Sequence, residues 1–242
     1  MAICLSVSVC CATKPILRDE DKDPIETLTR QIERDPNDYN LYWGRANAYL
    51  SLRDYEKAIF DYSKALSFEN HYKYLIHFDR AQAYFKRASS LGDDGKSNEN
   101  YEKAIADYSK HIEYSAALGG NDHYRAYMQR GYSRVALKRY DLAIEDFKSA
   151  IKDSPYQPHP YRELADVCVK LGDYGCAIES YSGEIERARP FYPDSAYIKR
   201  AELYELIGER EKAINDAKKA CEISLGDCAT LERLQSRPRD ER

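Results

Sequence analysis

The residues able to do chemistry are scattered along this chain rather than clustered. The five histidines are His71, His77, His111, His123 and His159, and none stands at zinc-ligand spacing from another histidine or a cysteine. Asp93-Asp94-Gly95 has the composition of a calcium loop but lacks the D-x-D-x-D-G order and the late glutamate. No G-x-S-x-G, glycine-rich phosphate loop or H-E-x-x-H occurs. Acidic side chains are numerous, and a helical reading puts them on solvated faces. The seven cysteines are Cys4, Cys10, Cys11, Cys168, Cys176, Cys221 and Cys228. These residues lead us to expect no catalytic site, no metal and no cofactor.

The elements that must position any site are helical hairpins. In residues 39–66, YNLYWGRANAYLSLRDYEKAIFDYSKAL, Ala46 stands between Tyr42 and Tyr49, and Ala58, Tyr62 and Ala65 recur at spacings of four and three. Such spacings share one face of an α-helix. The alanines let two helix axes approach to roughly 8–10 Å. Arg53-Asp54 is the turn, with Asp54 as the N-cap of the second helix. The frame returns as Arg80-Ala81, Tyr84, Tyr101, Ala104-Ile105 and Tyr108, then as Arg130-Gly131, Tyr140, Ala143-Ile144, Phe147 and Ala150. It returns again as Leu164-Ala165, Tyr174, Ala177-Ile178 and Tyr181, and as Arg200-Ala201, Tyr204, Ala213-Ile214, Ala217 and Ala220. Ala143 and Ala177 lie 34 residues apart. One hairpin cannot bury its apolar faces alone, so the units must stack.

On these residues the chain resembles the tetratricopeptide repeat family, whose unit is a helix–turn–helix of about 34 residues. The resemblance implies an all-α fold, a right-handed α-solenoid. Residues 1–23 read as a leader-like segment and linker, and 24–38 as a half-repeat helix carrying Ile25, Leu28 and Ile32. Residues 39–228 read as five full repeats (39–73, 74–123, 124–157, 158–193 and 194–228), and 229–242 as a capping helix and charged tail. Arg134 and Cys168 depart from the frame where an aromatic is usual, and His111 and Glu184 where a small residue is usual. In the second repeat Tyr84 and Tyr101 are 17 apart, against six for Tyr49 and Tyr55, so eleven extra residues separate its helices. Residues 86–91 extend the first helix, and residues 92–98, GDDGKSN, read as an exposed loop with Ser97 capping the second helix. A second insertion covers 116–122.

In the family the first helices line a concave groove that holds a peptide or folded partner. That implies a peptide-binding set of Trp43, Asn47, Leu50, Phe78, Gln82, Phe85, Arg125, Met128, Gln129, Tyr132 and Arg162. The alternative is that Trp43, Phe78 and Phe85 pack under neighbouring repeats. The family's chaperone-tail receptors grip a terminal carboxylate with Lys, Asn and Arg. Here Trp43, Asn47, Asp79, Arg125 and Gln129 stand at those positions, and Asp79 would repel a carboxylate, so that role is not expected. The expected function is a non-catalytic adaptor or assembly scaffold. The rival is an accessory subunit of an enzyme complex, or an enzyme.

A net charge of −4 gives no general attraction for nucleic acid, and no run approaches the ~20 apolar residues of a membrane span. Residues 1–12, MAICLSVSVCCA, read either as the end of a secretory leader, with Cys10 or Cys11 as a candidate lipid anchor, or as a loose tail. The segment KACEISLGDCATL resembles the ends of bacterial tetratricopeptide and Sel1-like arrays, where two cysteines clasp a helix end. That resemblance implies a Cys221–Cys228 disulfide; the other reading is four buried free thiols in the array. Leader and paired cysteines together favour a bacterial envelope or periplasm over the cytoplasm.

Overall fold

The computed structural model describes residues 23–92, 95–120, 123–188, 193–224 and 228–236. The leader-like stretch with Cys10 and Cys11, the pair Asp93-Asp94 and the end of the charged tail lie outside them. Among the described residues the chain forms twelve α-helices and no strand. Helix α1 (Pro24–Arg34) precedes five hairpins. These are α2 (Tyr39–Ser51) with α3 (Tyr55–Leu66), α4 (Lys73–Leu91) with α5 (Gly95–Ala117), α6 (Tyr124–Ala136) with α7 (Tyr140–Asp153), α8 (His159–Leu171) with α9 (Tyr174–Arg187), and α10 (Asp194–Leu206) with α11 (Arg210–Ile223). Helix α12 (Ala229–Ser236) comes last. Each helix packs mainly on its neighbours in sequence, which makes the array an all-α solenoid.

The small residues of the frame lie where the helix axes meet. Ala46, Ala58, Ala65, Ala143 and Ala177 have no exposed surface. Gly131 takes the same place in the third repeat, where an added Cβ would stand 2.7 Å from the Phe147 ring. Asp54 caps α3 by accepting from the Lys57 amide, and Asp173 caps α9 in the same way. The hairpin turns share a left-handed residue: Arg53, Lys138, Gly172 and Gly208 occupy one frame position and all have φ between 58° and 82°. Glycine adopts that conformation freely, whereas Arg53 and Lys138 do so at a cost of about 1–2 kcal/mol each.

The second repeat departs from the expectation of a loop at 92–98. Helix α5 already begins at Gly95, and Ser97 is buried inside it, donating to the Ala88 carbonyl at 3.0 Å rather than capping. The added residues lengthen both helices, and Phe85 meets Tyr101 edge to face at 5.6 Å. At the far end Leu234 of α12 is buried against Ala213 and Ala217.

Acidic residues do not all lie on solvated faces, as the helical reading had them. Asp61, Asp107, Asp146 and Asp216 are buried, each gripped by an arginine from the first helix of its own repeat. Arg45 donates to Asp61 at 2.7 and 2.9 Å, Arg80 to Asp107 at 2.7 and 2.9 Å, and Arg200 to Asp216 at 2.7 and 2.8 Å. Arg130 does the same to Asp146, which Arg134 also approaches at 2.8 Å. The remaining guanidinium nitrogen reaches back to a hydroxyl on the preceding helix: Thr29, Ser63, Ser109 and Ser182 in turn. Each arginine therefore fastens three helices. Burial alone would push the Asp107 carboxyl up, but hydrogen bonds and charge from His77 and Arg80 outweigh it and hold the group below the usual carboxylate range.

Candidate functional site

Side chains from successive first helices meet along one face. Trp43 of α2 donates its indole N–H to Asp79 of α4 at 2.8 Å. The Arg125 guanidinium of α6 lies 5.2 Å from the centre of the Phe78 ring of α4. Tyr132 of α6 has its hydroxyl 3.3 Å from His159 Nε2 of α8, and Lys199 of α10 donates to Asp166 of α8 at 2.8 Å. The second helices add tyrosine hydroxyls from beneath. Tyr62 donates to Asn47 Oδ1 at 2.6 Å, and Tyr181 donates to Asp166. Burial pushes the Tyr62, Tyr108 and Tyr181 hydroxyls far above the ordinary tyrosine range.

The eleven residues expected on this face divide into three groups. Asn47 and Arg125 are exposed, and Trp43, Leu50, Gln82, Phe85, Gln129 and Tyr132 are half-buried. Phe78 and Met128 are buried in core clusters, 9% and 4% exposed, so they support the face from below rather than standing on it. The reason is that Phe78 sits under the Arg125 guanidinium and against Tyr108 and His111, while Met128 belongs to the core cluster shared by the third and fourth repeats. Arg162 reaches the face but its guanidinium is bound to Glu184, which is fully buried.

The electrostatics are uneven along the face. Burial pushes the Asp79 carboxyl up, against the Trp43 hydrogen bond and the Arg125 charge, which pull it down. Arg125 makes no ion pair among the described residues, and the side-chain amides of Gln82 and Gln129 have no partner among them. In the C-terminal half more of the polar groups are matched, Arg162 with Glu184 Oε1 and Lys199 and Tyr181 with Asp166, while Glu184 Oε2 is buried without a hydrogen bond among the described residues. Asp79 and Asp166 were outside the peptide-binding set although their frame positions put them on this face, and Lys199 was not named at all; its signal was a charge at a first-helix position that faces the preceding repeat.

No group of three or more His, Cys, Asp or Glu side chains converges among the described residues. No helix among them is long and apolar enough to cross a membrane. Cys221 and Cys228 are joined, and so are Cys168 and Cys176, a pairing not singled out from the sequence.

Tetratricopeptide repeat models match residues 39–72, 90–158 and 194–227. No curated protein matches at a significant level. Among solved structures the chain is similar to YrrB, described as a TPR protein with an unusual peptide-binding site: TM-score 0.64 and 19% identity, covering 87% of this chain and 99% of YrrB. It is similar to MamA at TM-score 0.63 and 21% identity, over 77% of this chain and 92% of that one. The MamA of Desulfovibrio magneticus RS-1 aligns at TM-score 0.56 and 20% identity, over 69% and 85%.

Proposed function

The chain belongs to the tetratricopeptide repeat family, and from that premise we propose that it is a non-catalytic adaptor or assembly scaffold that holds a segment of a protein partner across the first helices of its first three full repeats. The family's fold is an interaction scaffold in general. The observation that carries the finer reading is the set of uncommitted polar groups beside aromatic and apolar ones: Gln82, Arg125 and Gln129 lie among Trp43, Leu50 and Phe85. An extended peptide backbone needs such hydrogen-bond partners once water leaves it. Half-buried aromatics beside them offer apolar area to an anchor side chain, and Arg125 offers a contact to an acidic group. Asn47 is exposed but its carbonyl oxygen already accepts from Tyr62, which leaves its amide nitrogen for a ligand. YrrB is a peptide binder of the same fold. That likeness reaches the fold alone, and the reading rests on this chain's own residues.

The test is affinity capture with mass spectrometry, using the full chain and its triple variant Gln82→Ala, Arg125→Ala and Gln129→Ala. The variant is expected to keep its helical circular-dichroism signal and lose the captured partner. A partner retained undiminished would remove the reading. Trp43→Ala should weaken binding by about 2 kcal/mol or more as a central anchor. Phe68→Ala, off this face, should act on stability and spare affinity.

A further inference from the structure

Helix α1 is about one turn shorter than the helices that stand in its place before the later repeats. Thr29, Ser63, Ser109 and Ser182 hold one frame position, each receiving a guanidinium from the next repeat, and Lys148 holds it in α7. Helices α3, α7 and α9 begin eight residues before that position, at Tyr55, Tyr140 and Tyr174, and α5 begins earlier still, at Gly95. Helix α1 begins only five residues before it, at Pro24. The missing turn has a task elsewhere. Glu56, in the first turn of α3, pairs with Arg87 of α4 at 3.0 Å, and Glu102 of α5 pairs with Arg139 beside α7. The residue at that place ahead of α1 is Lys22, which precedes the described residues.

Beside this short end lies a crevice of about 280 Å³ between α2 and α3, lined by Arg45, Tyr49, Glu56, Lys57, Phe60 and Asp61. Phe60 is 69% exposed. The other four repeats carry Ala106, Glu145, Glu179 and Asn215 in its place. A large apolar side chain is therefore bared in the one repeat whose preceding helix falls short. The short connection between α1 and α2 makes them antiparallel. Arg45 of α2 donates to Thr29 of α1 at 3.0 Å, so from there the start of α1 runs along α2 toward Tyr49. The chain thus enters the described structure beside the crevice.

We propose that the crevice holds this chain's own upstream segment, with Ile16 and Leu17 as its anchors against Phe60 and Tyr49. They are the only large apolar residues between Thr13 and Asp23. Leu17 is six residues from Asp23, a reach of up to about 20 Å. So short a tether gives an effective concentration on the order of millimolar, which favours this segment over a free partner of equal chemistry. Burying two aliphatic side chains on Phe60 removes apolar surface from water on both sides of the contact. The anchors follow the leader-like residues 1–12, so loss of that stretch leaves them in the chain. Docked there, the segment covers the first full repeat as the first turn of α3 covers the second. It closes the N-terminal end of the array as Leu234 of α12 closes the other.

Two measurements on the full chain test it. With p-benzoylphenylalanine in place of Phe60, irradiation should join position 60 to residues 13–22 within one molecule, read by mass spectrometry of the digested monomer. A link to a second copy, or only to the described helices, would overturn the proposal. The second measurement compares thermal melts of Phe60→Glu, of Ile16→Asp with Leu17→Asp, and of all three changes together, with the helical circular-dichroism signal as the check on folding. Each of the first two should lower Tm by about 2–4 °C. The combination should lower it no further, because both remove the same contact. Without the docked segment Phe60 is a solvent-facing side chain, and Phe60→Glu would leave Tm unchanged. That result, or losses that add, would mean that the upstream segment does not lie on Phe60.

Discussion

The fourth repeat holds its two helices together by different means from the others. In the first, second, third and fifth repeats a half-buried arginine grips a buried aspartate and a hydroxyl of the preceding helix. In the fourth, Leu164 stands for the arginine, Ser180 for the aspartate and, on the preceding helix, Lys148 for the hydroxyl residue, while the repeat's own arginine–carboxylate contact, Arg162 with the buried Glu184, sits at a different place on the two helices. All three partners change together. A second contact changes with them. Where the first helix ends and the second begins, Lys57 lies 5.3 Å from the centre of the Tyr49 ring, Lys103 5.8 Å from Tyr84 and Lys212 5.6 Å from Tyr204. The fourth repeat has Cys168 and Cys176 in those two places, joined as a disulfide. A charged tie is worth having only when complete, because one partner alone is an uncompensated buried charge. Partial replacement is therefore worse than total replacement, and a covalent link does not depend on hydration.

This contrast can be broken or sharpened by substitution. The largest effect is expected from Asp146→Ala, which strands Arg130 and Arg134 together. It should cost about 3–5 kcal/mol in urea unfolding, whereas Ser180→Ala at the equivalent place should cost below about 1 kcal/mol. Equal costs would mean that the aspartate ties carry no special weight. Next comes the disulfide. Replacing both Cys168 and Cys176 by Ala should remove about 2–3 kcal/mol, the value for so short a closed loop, and reductant should affect the wild type but not the variant at this locus. If alkylation of native protein before reduction labels Cys168 and Cys176, the link is absent and Arg162 with Glu184 is the tie that remains between the two helices of the fourth repeat.

A smaller effect separates packing from ties. Ala177 has no exposed surface, and Ala177→Leu should overpack the fourth repeat by about 1–3 kcal/mol. Ala143→Leu should do the same in the third, since the backbone approach is common to both kinds of repeat. A thermal melt unchanged by either would contradict the shared frame. The smallest net change is expected on restoring the missing tie, with Lys148→Ser, Leu164→Arg and Ser180→Asp together. A buried ion pair and an apolar replacement of similar volume are often near balance, so the triple variant should stay within about 1 kcal/mol of wild type. A double-mutant cycle on Leu164→Arg and Ser180→Asp should show favourable coupling. No coupling would mean that the helices of this repeat cross differently.

Much of this molecule was legible in the amino-acid sequence because its determinants are local. The spacing of Ala58, Tyr62 and Ala65 names a helix face, Asp54 names a cap, and repetition of the frame names the stack. Those properties depend on 3.6 residues per turn and on side-chain volume, both readable along the chain. The first-helix face was partly legible for the same reason: frame positions place Trp43, Asn47, Gln82, Arg125 and Gln129 together without any coordinates. Reading residues 95–98 as part of a loop failed because glycine, aspartate and serine signal a turn only where no neighbouring helix outbids them. Here the extended α4 offers Ala88 and Phe85 to Ser97 and Tyr101, and α5 starts early.

What only the tertiary structure decided is partnership. Arg45 and Asp61 are 16 residues apart, as are Arg130 and Asp146, while Arg80 and Asp107 are 27 apart across the insertion. Their meeting depends on how two helices cross, not on anything within one helix, so the sequence displayed charges and left their burial open. The same holds for Phe78 and Met128, which share their frame position with Trp43 but are covered by Arg125 and by the fourth repeat. It holds for Cys168, which has a partner only because the turn at Gly172 brings Cys176 back beside it. And it holds for Tyr108, whose unsatisfied hydroxyl is invisible in sequence because Gln82 has the chemistry to satisfy it, and only its placement in the folded chain leaves that bond unmade.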